Sequence, residues 1–173
     1  MEKKAKLLLY SGIITLIATF YLSWFTYLFG TINYANGIGG IKVVIEIFTG
    51  RINYYRSRYG ETALIYLMVV VIIWLLASGF LQLIGIYNYR VGIIGSIMPL
   101  LIALLILLYS FNIPFTGGFF RLFEMFGDSE PIIEGAVPLH IVLSGRTEAI
   151  GTYILLLGGI LGLIGSIKNK SEF

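Results

Sequence analysis

Two glutamates set the chemical question. Glu46 lies in the apolar run IKVVIEIF (41–48) and Glu124 in FFRLFEMF (119–126). Each run follows a glycine pair, Gly39-Gly40 or Gly117-Gly118, and each carries one basic residue, Lys42 or Arg121. A carboxylate among apolar side chains must reach water or find a donor, because an unpaired buried charge is costly. Two readings follow. In one, each glutamate is the polar face of a helix lying in the membrane interface. In the other, an arginine or a partner chain supplies the donor. Arg51, Arg121 and Arg146 have the chemistry for that role. The same guanidinium group can also bind an anion or a lipid headgroup, or anchor a helix end at the interface. His140 with Glu148 has the residue types for acid–base work, although a lone loop histidine is ordinarily a surface residue. Asp128, Glu130 and Glu134 could hold a hard cation, although an acidic run beside Gly127 and Pro131 is ordinarily a solvated turn. No catalytic group, metal or cofactor is assigned.

The elements that carry these residues are apolar. Of 173 residues, 58% are hydrophobic and 12% are charged. A soluble domain has about 45–50% apolar and about 25% charged residues, so lipid is the solvent for most of this chain. Cysteine is absent, which excludes a disulfide framework and a thiolate metal site. A single histidine excludes a bis-histidine haem. Gln82 is the one glutamine, and such scarcity of thermolabile residues fits a heat-adapted source. The net charge is +3, and no basic run is interleaved with aromatics, so nucleic acid is not an expected partner.

Four uncharged runs, Leu7–Gly30, Thr62–Ile86, Val91–Phe111 and Ala149–Ile167, each approach the roughly 20 residues that cross a bilayer as a helix. The first is too long for a signal peptide and lacks its A-x-A site. The expected fold is an all-α integral membrane protein of four transmembrane helices. None of the four runs contains Asp, Glu, Lys, Arg or His; such residues inside a membrane are the usual mark of proton relays and ion paths.

Within the first run, Ser11, Thr15, Thr19 and Ser23 recur every fourth residue and so share one ridge. Their hydroxyls can bond across to another helix or back to their own carbonyls. Phe20, Tyr21, Trp24, Phe25, Tyr27 and Phe29 read as an aromatic belt at its outer end. Gly158-x-x-x-Gly162, followed by Ser166, gives the last run a small-residue packing ridge. Pro99 should kink the third. Outside the spans, 41–48 fits a strand, with Ile41, Val43, Ile45 and Ile47 alternating. It also fits a helix with Ile41, Val44, Ile45 and Phe48 on one face. The second segment reads better as a helix, so a short amphipathic helix is expected in both.

The glycine-glutamate segments lie 78 residues apart, and Gly12-Ile-Ile and Leu81-x-Leu-Ile-Gly85 recur as Gly92-Ile-Ile and Leu161-x-Leu-Ile-Gly165. A single membrane domain built as a tandem repeat, 7–87 and 88–167, is expected, each unit having two helices and an outer amphipathic segment. Six of the twelve Lys and Arg crowd the N-terminus, the 87–90 turn and the C-terminus. That side should be cytoplasmic, making a multi-pass plasma-membrane protein with both termini inside. Asn169-Lys-Ser is a glycosylation acceptor sequence that would be silent there. This topology resembles tetraspan proteins of the claudin kind, but the chain lacks their loop cysteines, so the likeness covers topology alone.

The expected role is non-catalytic: an accessory or structural subunit of a membrane assembly, or a self-associating tetraspan scaffold. Its partners would be the lipid bilayer and either copies of itself or other membrane subunits. A small oligomeric transporter or channel is the alternative, and a lipid- or quinone-interacting enzyme subunit a third.

Overall fold

The computed structural model describes residues 3–27, 33–111 and 149–170. The elements in order are α1 (Lys3–Phe20), β1 (Phe25–Tyr27), β2 (Asn33–Ala35), α2 (Gly37–Glu46), α3 (Ile52–Tyr59), α4 (Thr62–Ile84), α5 (Tyr89–Ser110) and α6 (Ile150–Lys170). The protein is helical, and β1 and β2 form one short antiparallel ladder with Thr26 opposite Tyr34. Helices α4, α5 and α6 are long and apolar enough to cross a membrane, while the apolar part of α1, Ala5–Phe20, is shorter.

Helix α1 stops ten residues before the end of its apolar run, and the cause is Trp24. The last helical bond joins the Tyr21 amide to the Ile17 carbonyl at 2.9 Å. A helix end leaves its final carbonyls without partners. The Trp24 indole N–H donates to one of them, Ala18 O, at 2.9 Å. The backbone of Trp24 is then held on both sides: its N–H donates to Ala35 O, and its carbonyl accepts from Ala149 N and from the Thr152 hydroxyl. Trp24 is fully buried. It is therefore a plug at the end of the bundle, not part of a lipid-facing belt, whereas Tyr21 is exposed.

Asn36 starts α2 by accepting the Gly39 amide at 2.8 Å, a side-chain cap for an otherwise orphan donor. The segment is helical, but its inward face is not the apolar one that the spacing suggested. Gly37, Gly40, Val43 and Ile47 turn inward, while Ile45 and Phe48 are exposed. Glycine decides this. A Cβ at Gly37 would lie 2.7 Å from Thr19 O and 2.9 Å from Leu76, so this face alone can rest against the end of α1 and against α4. A wide turn over Ile47–Arg51 leads into α3, with Gly50 at φ 110° in the left-handed region that suits glycine.

The four long helices form an antiparallel ring in the order α1, α4, α5, α6, each packed on two neighbours. Glycines line every seam. Along α1 and α6, Gly165 meets Leu8, Gly158 meets Thr15, and Gly151 meets Leu22 and the Ser23 carbonyl. These glycines recur every seven residues. Between α5 and α6 the small partners alternate sides: Gly92 against Ser166, then Gly162 against Ser96. Gly12 and Gly79 bring α1 to α4, each within 3.0 Å of the other's carbonyl once a Cβ is added, and Gly85 rests on Gly92 between α4 and α5.

Replacing Gly158 or Gly162 with leucine must therefore force backbones apart. Overpacking of this kind costs about 1–3 kcal/mol, which lowers Tm by roughly 3–10 °C in a chain of this length. Thermal unfolding in mild detergent should show that loss for each. Ile160→Leu, on the exposed side of α6, should leave Tm unchanged.

Candidate functional site

Pro99 creates the polar centre of the bundle. Proline has no amide hydrogen, so the carbonyl four residues earlier loses its helical donor. That carbonyl belongs to Gly95. Gln82 Nε2 of α4 donates to Gly95 O at 3.3 Å. Gln82 Oε1 accepts from the Thr15 hydroxyl of α1 at 2.9 Å. A Cβ on Gly162 of α6 would come within 3.0 Å of the same amide. All four helices thus converge on one fully buried side chain. A polar side chain was visible there in the sequence, but its partner becomes apparent only when Pro99 is read for the carbonyl it frees.

The remaining polar groups around this centre bond locally. Ser96 donates to Gly92 O at 2.7 Å, Ser166 to Gly162 O at 2.8 Å, and Ser78 to Leu75 O at 2.6 Å. The four hydroxyl residues along α1 and just beyond it, Ser11, Thr15, Thr19 and Ser23, are all buried, and they behave differently. Ser11 bonds its own helix at Leu8 O, and Thr15 crosses to Gln82. The Thr19 hydroxyl has no partner among the described residues. At Ser23 the backbone carbonyl accepts from Gly151 N at 3.1 Å. Asn169 also has a structural use: its side-chain amide donates to Gly85 O at 3.0 Å and Ile86 O at 3.2 Å, closing the end of α4.

At the end of the bundle opposite the Asn169 bonds, Glu46 finds its donors among nearby residues of the chain. Arg51 approaches at 3.2 Å, and the Tyr55 hydroxyl donates to Oε2 at 2.6 Å. Burial, and then the bond to Glu46, raise the Tyr55 hydroxyl above the ordinary tyrosine range. Arg51 is largely exposed and Glu46 is mostly covered, so the tyrosine bond is the less screened of the two. Glu124, Arg121, His140, Arg146, Asp128, Glu130 and Glu134 lie outside the described residues, as does the whole 119–126 segment. Among the described residues no group of three His, Cys, Asp or Glu side chains could hold a metal ion.

Two outcomes follow. A Thr15→Val, Gln82→Leu double-mutant cycle should give a coupling of about 0.6–1.7 kcal/mol, the range for hydrogen bonds between membrane helices, read from unfolding in detergent. The raised Tyr55 value means that the neutral hydroxyl is the form the fold favours. Its contribution is complete below the free-tyrosine value of about 10 and is lost only as pH rises through the higher folded value. In a spectrophotometric titration, Tyr55→Phe should remove one tyrosine that ionises later than an exposed one.

No family model, no curated protein and no solved structure matches this chain.

Proposed function

We propose that this chain is a non-catalytic, four-span structural subunit of a membrane assembly, with both termini on the cytoplasmic side. The observation that carries the reading is the use to which the polar interior is put. Both ends of the Gln82 amide are bonded to neighbouring helices, and the seams around it leave no room for a methyl group. This is the interior of a packing element. A conduit needs its polar groups turned toward the permeant species.

Length supports the four-span reading. The apolar part of α1, Ala5–Phe20, rises about 24 Å, and the residues from Tyr21 to Trp24 continue it toward the far side of a hydrocarbon core of about 30 Å. The orientation rests on charge. The start of α1, the 85–88 turn and the end of α6 share one end of the bundle, joined by the Asn169 bonds and by Gly165 on Leu7 and Leu8. Lys3, Lys4, Lys6, Arg90, Lys168 and Lys170 belong to that end, and basic clustering marks the cytoplasmic side.

The tandem repeat is part of the proposal. In the ring, α1 stands diagonal to α5 and α4 to α6, as a twofold along the bundle axis requires. Gly79 meets Leu16 in one half, and its counterpart Gly159 meets Leu100 in the other, one helical turn from strict register.

An impermeant thiol reagent applied to intact cells should modify a cysteine placed at Asn53 and spare one placed at Asn88; the reverse pattern would overturn the topology. Mild-detergent extraction should recover the chain with other membrane subunits or as a defined oligomer. A chain that is monomeric by itself and conducts ions in liposomes, with flux lost in Gln82→Leu, would replace the structural reading with the channel one.

A further inference from the structure

We propose that the elbow formed by the end of α2, the Ile47–Arg51 turn and α3 is a docking surface for anionic phospholipid headgroups. The inference requires only that α4 cross the bilayer, and it is independent of the assembly role.

Position comes first. Helix α4 begins at Thr62, with only two residues between it and the end of α3, and its 23 residues rise about 34 Å. That fills a hydrocarbon core of about 30 Å, so α3 lies at the level of the headgroups. The surface of the elbow is next. Ile52, Tyr55 and Tyr59 turn toward the protein, with Tyr55 buried and the other two partly covered. The opposite side exposes Tyr54, Arg56 and Arg58. Beside it, Ile45 is 54% exposed and Phe48 66%.

This apolar surface does not end at the elbow. The Phe48 ring lies 6.3 Å from that of Tyr66, and Tyr66 opens the exposed face of α4 that continues through Leu67, Val70 and Ile73. A face that runs without a break into the lipid-facing side of a membrane helix is wetted by the same solvent. A protein partner would have to cover both.

Charge then selects the lipid. Between Lys42 and Glu61 there are four basic and two acidic residues. Glu46 is occupied by Arg51 and Tyr55. Arg58 is steadied by the Tyr54 hydroxyl at 2.9 Å and lies 5.5 Å from the Tyr59 ring centre. Arg56 is exposed and makes no ion pair among the described residues. Tyrosine and arginine side by side are the pair suited to an interface, with apolar bodies in the acyl boundary and polar tips at the phosphates.

The test uses the full chain in neutral-lipid mixed micelles, titrated with phosphatidylglycerol or with phosphatidylcholine. Phosphatidylglycerol should raise Tm and remain bound in native mass spectra, and 0.5 M salt should reverse both effects. Arg56→Gln with Arg58→Gln should keep the wild-type Tm in phosphatidylcholine. Its phosphatidylglycerol midpoint should rise about 30-fold, at roughly 1 kcal/mol per basic residue near an anionic surface. Arg90→Gln, one basic residue at the other end of the bundle, should move the midpoint by no more than about fivefold. Equal responses to the two lipids in the wild type, or an unmoved midpoint in the double variant, would overturn the proposal. So would a Tm rise reproduced by inorganic phosphate alone, or a change of oligomeric state in the double variant at constant lipid.

Discussion

Leucine gains little by leaving hydrocarbon for another leucine, so apolar surface alone does not hold helices together in lipid. Association there depends on close backbone approach and on polar groups that have nowhere else to bond. Both conditions meet at Gln82. Pro99 takes a donor from Gly95, and the carbonyl it leaves open is the acceptor for Gln82. Gly162 is bare enough to let the amide reach the middle of the ring. The proline is thus the origin of a contact between helices as well as a local irregularity. Removing the glutamine would orphan a carbonyl at membrane depth, where water is not at hand to replace it.

The end of the bundle at Trp24 solves the same problem with different means. Chain buried at the end of a bundle needs its amides and carbonyls satisfied by protein. Trp24 meets that need with an indole bond to α1, a backbone bond to Ala35, and bonds from Ala149 and Thr152 at the start of α6. The plug also sets the seat for α2, whose first glycines rest where α1 stops. The elbow that follows contains its own ion pair and tyrosine bond, so Glu46 is satisfied without help from elsewhere in the bundle.

Hydropathy made the long helices legible, because their composition differs from that of any soluble segment. The glycine ridge of α6 could be read at four-residue spacing. The seam with α1 uses Gly151, Gly158 and Gly165, seven apart, a period that shows only when the partner helix is known. The end of α1 was hidden because nothing local stops it at Phe20; the capping indole comes from outside the helix and its backbone is anchored by residues 11 and 125 positions away. The face of α2 misled because apolar side chains ordinarily mark the inside, whereas here clearance was scarce and glycine took that place. The hydroxyls of Ser11, Thr15, Thr19 and Ser23 look equivalent in sequence. Only Thr15 stands level with a glutamine.

The ring order also constrains how the chain can be made. α1 and α6 are neighbours in space but far apart in the chain, and α6 is made after α1, α4 and α5, so the α1–α6 seam closes after the α1–α4 and α4–α5 contacts can form. Until then the side of α1 that faces α6 has no helix beside it, a tolerable state because hydroxyls such as that of Ser11 can turn back on their own backbone. Gln82 has no such recourse within α4, but its proline-freed acceptor lies on the very next helix. The α4–α5 hairpin therefore enters the bilayer with its most polar member already bonded. It can wait there, as a finished unit, for α6.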